Sequence, residues 1–172
     1  WVSAHDRLLV DGAWLIQLPY RDRSTQLRNT TYCHALSSGW VFNIPLRSRI
    51  GTGYIFSSSH QSDEAAACEF AHHLQTLYGY EIDRLALRRL RFPTGYRNKQ
   101  WVKNVVGVGM SSFFCEPLES TAIAMANSTA LCLREALKNQ QVGVDLLRDR
   151  LNRSQLQLAQ SVLEFVQMHY TQ

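Results

Sequence analysis

The chain has 172 residues, of which 45% are hydrophobic and 19% charged, with a formal net charge of +4. This length and composition suit a globular domain with a real core and exclude a disordered chain. The positive charge is small and scattered, so nucleic-acid binding is not expected. The basic run between Arg84 and Arg97 fits a strand with one solvated face.

The four cysteines lie far apart and match no zinc-site spacing, so we expect buried free thiols in a reducing cytoplasm and no metal. No window approaches the roughly 18 uninterrupted apolar residues that a membrane span requires. The N-terminus lacks the charged and apolar regions of a signal peptide. These features predict a protein without membrane segments.

The first half of the chain predicts antiparallel β structure. An apolar run at 13–19 ends at Pro19, and a polar loop follows. Three runs rich in aromatic and β-branched residues come next, at 31–37, 39–46 and 49–57. Their short connections favour hairpins, and Pro45 is expected at a strand end.

Helical spacing first appears at 62–78, with Ser62 as the N-cap and Gly79 as the C-terminal stop. Strands are predicted at 85–92 and 101–108, the second being more buried. A helix follows from about 119 to 138, and one or two amphipathic helices occupy 143–170. The apolar faces predicted for these last helices contain Ile123, Ala126, Ala130 and Leu133, and then Leu158, Val162, Phe165, Val166 and His169. The fold class is therefore mixed α/β, with antiparallel strands followed by C-terminal helices.

The stretch VGMSSFFCEPLESTAI, residues 108–123, carries two acids around a proline where a strand gives way to a helix. We call its EPLEST segment, residues 116–121, the strap. If the strap is extended, Glu119 faces one cavity while the N–H groups of Thr121 and Ala122 face another, where they can hold a small anion. Helix capping by Ser120 or Thr121, with the acids favouring the positive helix end, explains the same residues.

Several segments resemble flavin-dependent tryptophan halogenases. WVKNVVGVGMSSFFCEPLESTAI is similar to the C-terminal flavin segment of that family, and GWVFNIPLRSRIGTGYIFSSS to its Trp-x-Trp-x-Ile-Pro strand and the strand after it. RFPTGYRNKQWVKN resembles the family's linking hairpin, and EFVQMHY the end of a helix in its substrate domain. The resemblance implies the C-terminal portion of an FAD-binding fold of the flavin monooxygenase/halogenase type at 1–138, joined to the start of a helical substrate domain at 139–172.

The resemblance also implies a reaction. In this family reduced FAD and oxygen convert chloride or bromide into hypohalous acid, which halogenates an indole or another electron-rich, tryptophan-like aromatic. Glu119 matches the catalytic glutamate. Backbone N–H groups of Thr121 and Ala122 match the halide site, and Met110 and Ile123 match positions that contact the flavin.

Two further matches concern the path of the oxidant. Trp40 matches the first Trp of the strand motif, which lines a tunnel on the substrate side, and Phe42 replaces the second Trp. Ala122 stands where tryptophan-specific members often carry Gly. None of the three lysines occupies the position of the family's catalytic lysine; they are Lys99, Lys103 and Lys138.

The chain opens at Trp1 with residues typical of the middle of a domain, and it lacks the family's dinucleotide fingerprint. We therefore expect a fragment of a longer cytoplasmic enzyme, inactive by itself. The resemblance implies a separate flavin reductase that supplies reduced FAD by diffusion, and it leaves a homodimer open.

The alternatives to a halogenase are a related flavin-dependent aromatic monooxygenase, which Phe42 favours, and a non-catalytic truncated remnant. The sequence leaves the substrate, ring position and halide open.

Overall fold

The computed structural model describes residues 1–138 and 143–170. These residues form ten β-strands: β1 (Val2–Ser3), β2 (Gly12–Pro19), β3 (Tyr32–Leu36), β4 (Gly39–Pro45), β5 (Arg49–Phe56), β6 (Arg88–Arg91), β7 (Gly95–Tyr96), β8 (Trp101–Val102), β9 (Val105–Val106) and β10 (Phe113–Phe114). They also form four α-helices: α1 (Arg23–Gln26), α2 (Asp63–Tyr78), α3 (Thr121–Lys138) and α4 (Val144–Met168). The predicted fold class, antiparallel strands followed by C-terminal helices, is confirmed. Among the described residues, no helix combines the length and the apolar character that crossing a bilayer requires.

One compact unit, Leu9–Phe92, is built on a five-stranded antiparallel sheet with the order β3-β4-β5-β2-β6. The predicted hairpins are confirmed, since β3 pairs with β4 and β4 with β5. Pro45 ends β4, as expected for a residue that cannot donate to the ladder. The strand predicted at 85–92 is shorter, because the Asp83 carboxylate accepts the N–H of Leu85 and caps a 3₁₀ turn before β6.

Helix α2 covers one face of this sheet. The Ser62 hydroxyl accepts the N–H of Ala65 at 3.2 Å, and Gly79 ends the helix with a φ of 71°, so both predicted ends are confirmed. Burial of apolar side chains between helix and sheet is the main stabilising force of this unit. The core contains Leu18, Val41, Ile50, Tyr54, Phe56, Ala66, Phe70 and Leu74.

Asp63, in the first turn of α2, ties the helix to the sheet. Its carbonyl accepts the Trp14 indole N–H at 2.9 Å, and its carboxylate lies 2.6 Å from the Arg89 guanidinium. Hydrogen bonding to Arg89 lowers the pKa of Asp63. Arg89 also lies 4.8 Å from the centre of the Phe56 ring. The basic run thus has a solvated side at Arg88 and Arg91, but Arg89 is a structural contact rather than a surface charge.

Substitution of Gly79 tests the C-terminal cap of α2. An Ala there would have to adopt a left-handed backbone that disfavours a Cβ, so we expect Gly79→Ala to lower the free energy of unfolding by about 1 kcal/mol. Gly51→Ala is the matched control, since Gly51 lies in β5 without a left-handed backbone and a Cβ there would meet no atom closer than 3.9 Å. Urea unfolding of both variants measures the difference. An equal loss in both would contradict the capping role.

The second unit combines Trp1–Leu8 with the chain from Pro93 onward. It contains a three-stranded antiparallel sheet, β1-β7-β10, and helix α3 packs against α4. Gly95 in β7 has a φ of 151°, and a Cβ there would lie 2.2 Å from the Val2 carbonyl oxygen. Only glycine therefore lets β1 and β7 approach this closely. The core consists of Ala4, Leu8, Phe113, Cys115, Met125, Ala159, Leu163 and Val166.

The buried faces of α3 and α4 differ from those predicted. Thr129 on α3 is buried and its hydroxyl bonds the side chains of Gln100 and Gln155, at 3.2 and 3.0 Å. Satisfied polar residues therefore occupy core positions that a purely apolar pattern assigns to the surface. The buried residues are Thr121, Met125, Thr129 and Ala136 on α3, and Leu151, Gln155, Ala159, Leu163 and Val166 on α4. Of the predicted stripes, Ile123, Ala130, Phe165 and His169 are exposed, and Val166 is buried as predicted.

The strand predicted at 101–108 is wrong. Its residues form a tight hairpin in which Trp101 pairs with Val106, and Lys103 turns the chain with a φ of 53°. The Asn152 side chain on α4 bonds the backbone of Gln100 and Trp101, which holds this hairpin against the helix. The predicted domain boundary near 138–143 falls on residues 139–142, outside the described residues, and stays a prediction.

The four cysteines all lie in the described part of the chain and form no disulfide. Cys115 is buried, and burial raises the pKa of its thiol. Cys33 and Cys68 are exposed, so the prediction of buried thiols is wrong for these two. Cys33 lies at an exposed position of β3, where exposed and half-buried residues alternate, and Cys68 lies on the exposed face of α2.

Candidate functional site

The strap is a tight turn between β10 and α3, not an extended segment. Leu118–Ser120 form a 3₁₀ turn, in which Glu119 (φ 55°, ψ 14°) and Ser120 (φ 55°) both have left-handed backbones. Side chains alternate between two sides only along an extended backbone, so that part of the prediction is wrong. Helix α3 begins at Thr121 rather than at 119.

The two acids of the strap lie in opposite environments. Glu119 is exposed, whereas the Glu116 side chain is 0% exposed. The Tyr170 hydroxyl lies 2.7 and 2.9 Å from the two carboxylate oxygens of Glu116, which share its single donated proton. Burial raises the pKa of Glu116 to about 7, although the Tyr170 hydrogen bond acts in the opposite direction. The buried acid is thus the first of the pair, and the acid that solvent or a ligand can reach is the second.

The start of α3 does not follow the predicted capping pattern. Ser120 has a left-handed backbone, whereas an N-cap residue normally has an extended one. The Thr121 hydroxyl contacts the Cys115 thiol at 3.2 Å inside the protein. Since the first N–H groups of any helix have no acceptor within it, those of Thr121 and Ala122 are suited to an anion.

The residues predicted to contact a flavin lie around the same helix start. Met110 belongs to a 3₁₀ turn, Gly109–Ser111, that packs against α3, and Ile123 lies in the first turn of α3. Their side chains are 70% and 72% exposed. Two large apolar side chains exposed beside a helix N-terminus offer a surface that a flat, partly apolar ligand can cover. These residues fit a flavin.

Trp40 and Phe42 lie on β4, in the unit Leu9–Phe92. They are half-buried on one side of the strand, with ring centres 6.2 Å apart, while Val41 and Asn43 point to the other side. Gly53 is opposite Phe42 on β5, and a Cβ on it would lie 2.6 Å from the Phe42 ring. Glycine at this position therefore makes room for the aromatic side chain.

Sequence reasoning missed the Glu116–Tyr170 pair. Glu116 follows the apolar residues Phe113, Phe114 and Cys115, and a carboxyl group that continues a buried strand needs a buried partner. That signal was readable. The identity of the partner was not, because Tyr170 lies 54 positions away and meets Glu116 only through the packing of α4.

The chain is similar to known proteins both in sequence and in structure. The family model for tryptophan halogenase matches residues 1–172. The chain is 32% identical to tryptophan 7-halogenase RebH of Lentzea aerocolonigenes over 99% of its own length and 31% of that protein. It is 33% identical to the crystal structure of a tryptophan halogenase from Shewanella frigidimarina, with a TM-score of 0.87, covering 98% of this chain and 32% of that one. BrvH, a flavin-dependent halogenase from Brevundimonas sp. BAL3, gives 31% identity and a TM-score of 0.81 over 98% of this chain and 33% of its own. The chain thus spans about a third of the length of these relatives.

Proposed function

Since the chain belongs to the tryptophan halogenase family, we propose that the whole protein is a flavin-dependent halogenase. Its substrate is an indole-type, electron-rich aromatic. Reduced FAD and oxygen supply the oxidising power that converts chloride or bromide into hypohalous acid. The residues of this chain provide an acid, an anion site and part of a flavin surface.

One observation carries this proposal: the strap presents an exposed carboxyl group directly before the first turn of a helix. Glu119 is exposed on a left-handed backbone, and α3 begins two residues later. We assign Glu119 the catalytic role, in which it positions the oxidant or accepts the proton that the aromatic ring loses. The buried acid, Glu116, has no access to a substrate.

The halide site is assigned to the N–H groups of Thr121 and Ala122. A helix N-terminus carries a partial positive charge, so it binds a small anion without a cationic side chain. Met110 and Ile123 are assigned to the flavin, because their exposed apolar surfaces lie beside this helix start. The carboxyl group and the anion site thus come from one short segment.

We assign Trp40 and Phe42 to the substrate-side tunnel. Phe42 keeps the bulk of the indole that it replaces but lacks the indole N–H. That loss is the observation that favours the second candidate function, a related flavin-dependent monooxygenase that hydroxylates its aromatic substrate. The two reactions give products of different mass.

The remaining assignments concern the protein as a whole. We propose that residues 1–138 are the C-terminal part of the FAD-binding core and that 139–172 begin the substrate domain. A separate flavin reductase supplies reduced FAD by diffusion, in the cytoplasm, where thiols such as Cys33 and Cys68 stay reduced. A homodimer is compatible with this arrangement.

The decisive experiment uses the longest natural polypeptide that contains this chain. It is incubated with reduced FAD, oxygen, bromide and either indole or tryptophan, and the products are analysed by mass spectrometry. We expect a monobrominated product with the isotope doublet of bromine. A hydroxylated product instead would support the monooxygenase, and the absence of both with a range of aromatic substrates would contradict the enzymatic assignment.

Replacing Ala122 by proline tests the halide site, because it removes one N–H group from the first helical turn, where proline is tolerated best. A hydrogen bond to a charged group is worth about 1.5–3 kcal/mol, so we expect the KM for bromide to rise at least about tenfold. Ala122→Gly keeps the N–H group and should leave this KM within about twofold, which RT ln 2 puts near 0.4 kcal/mol. Steady-state kinetics at varied bromide, with circular dichroism to check helix content, makes the comparison. Equal KM values in both variants would exclude this amide.

A further inference from the structure

Glu116 is the buried ionisable residue of the strap, and it pairs with Tyr170. The proposed function assigns no role to this pair. Glu116 is 0% exposed, and no lysine or arginine is among the groups that shift its pKa. Its two carboxylate oxygens instead share the single proton that the Tyr170 hydroxyl donates. A buried carboxyl group with a neutral partner is costly, so this pair does not contribute to stability in the way that apolar packing does.

The pair joins two elements that are distant in sequence. Tyr170 lies just beyond the C-terminal end of α4, whose last residues are also fixed by the His169 and Tyr170 N–H groups, which donate to carbonyls of the final helical turn. Glu116 is the first residue of the strap. The phenol therefore fixes the start of the strap to the end of a helix that is itself anchored in the core by Leu163 and Val166.

The far end of the strap is fixed as well. The Thr121 hydroxyl contacts the buried Cys115 thiol at 3.2 Å, so the residues on either side of the turn are joined. Pro117 restricts the backbone directly after Glu116. Leu118, Glu119 and Ser120 lie between these two attachments, and Leu118 itself packs against the core of this unit.

Two of those three residues have an unfavourable conformation. Glu119 and Ser120 are both left-handed, and non-glycine residues keep such a backbone only where their surroundings impose it. The contacts that hold the turn at its two sides are the attachments at Glu116 and Thr121, with the core packing of Leu118 between them. If the first of them is removed, the strap can relax toward an ordinary helical or extended backbone.

We propose that Tyr170 and Glu116 are positioning residues that hold the strap in the strained turn presenting Glu119 and the N–H groups of Thr121 and Ala122. This inference rests on the proposed function for its catalytic meaning. The physical claim, that one phenol–carboxyl contact maintains the backbone of the turn, stands independently of it.

The groups around Glu116 determine how the Glu116–Tyr170 hydrogen bond responds to pH. Tyr170 donates to it, His169 beside Tyr170 favours the carboxylate, and the Cys115 thiol is adjacent in the chain. Loss of the Tyr170 hydroxyl removes a donor to the carboxylate, so the pKa of Glu116 should move further upward in Tyr170→Phe. A purely space-filling tyrosine would not have this effect.

The test is hydrogen exchange of the backbone amides at 118–123, compared among wild type, Tyr170→Phe and Glu116→Gln. We expect exchange at these amides to accelerate at least about tenfold in Tyr170→Phe, equivalent to a loss of about 1.4 kcal/mol of local protection. Glu116→Gln keeps an acceptor for the phenol and should stay closer to wild type. Tyr96→Phe is the matched control, since Tyr96 is a half-buried tyrosine of the same unit on β7.

Carbon-13 NMR of labelled glutamate follows the Glu116 titration, which should shift upward in Tyr170→Phe. In the complete protein we expect the kcat of halogenation to fall about tenfold in Tyr170→Phe, an effect of about 1.4 kcal/mol, and less in Glu116→Gln. Unchanged exchange at 118–123 in Tyr170→Phe would overturn the positioning role even if activity fell. Accelerated exchange in a protein whose wild type does not halogenate would support the positioning role and contradict the proposed function.

Discussion

Glu119→Gln should abolish most halogenation while leaving the fold intact. A positioned acid or base contributes about 10²–10⁴-fold to a reaction rate, so we expect kcat to fall at least about 100-fold. Gln keeps the size and hydrogen-bonding reach of Glu but cannot accept a ring proton as a base. The side chain is exposed, and its replacement should not disturb the core. Bromination of indole by the complete protein is the measurement.

Two further variants test whether the loss of halogenation comes from the Glu119 carboxyl group itself. Glu164→Gln removes an exposed acid from α4 and should retain full activity. Glu119→Gly removes the same carboxyl group but relieves the left-handed backbone, since its φ is 55°. We therefore expect an inactive protein with a raised melting temperature. An active Glu119→Gly variant would refute the catalytic assignment, and a lowered melting temperature would refute the strain.

Stability should decrease as the pH rises from about 4.5 to 7, and Glu116 should account for much of that decrease. Burial raises the pKa of Glu116 from 4.5 to about 7 in the folded state. Between these two values the folded protein keeps a proton that the unfolded chain has lost, so raising the pH favours unfolding. The contribution is fully present below pH 4.5 and absent above pH 7. Each tenfold change in proton affinity is worth about 1.4 kcal/mol, which gives about 3 kcal/mol in total.

Glu116→Gln isolates this contribution from all other titrating groups. Gln has nearly the same shape and no proton to lose, so the variant should gain about 3 kcal/mol relative to wild type between pH 5 and pH 8. Urea unfolding at a series of pH values measures the free-energy difference. Asp63 has a lowered pKa and contributes in the opposite direction, but it is common to both proteins and cancels in the difference. Parallel pH curves for the two proteins would show that Glu116 does not titrate in this range.

The sequence predicted those parts of the fold that local rules determine. Ser62 and Gly79 bound α2 because capping depends on a few adjacent residues, and Pro45 ends β4 because it lacks an N–H group. The buried faces of α3 and α4 were missed because Thr129 and Gln155 satisfy each other inside the core. Such pairing depends on tertiary neighbours, which a one-dimensional pattern does not contain.

The sequence located the segment that carries the candidate site but not the backbone geometry of that segment. The segment holding Glu119 and Thr121 was located from an acid-rich junction between strand and helix, and their roles remain proposals. The left-handed backbone of Glu119 could not be predicted, because glutamate rarely adopts it and no adjacent residue demands it. The contact proposed to maintain it joins Glu116 and Tyr170, which lie 54 positions apart in the chain.

The two edge strands of the five-stranded sheet differ in charge. β6, at one edge, carries the exposed Arg88 and Arg91, while β3, at the other, carries no permanently charged side chain. Like charges along an edge strand deter another polypeptide from adding a strand, whereas a neutral edge strand offers its backbone N–H and C=O groups without that repulsion. Self-association during expression or storage should therefore proceed along β3, and a lysine in place of Ala35, an exposed residue there, is the simplest change to improve solubility.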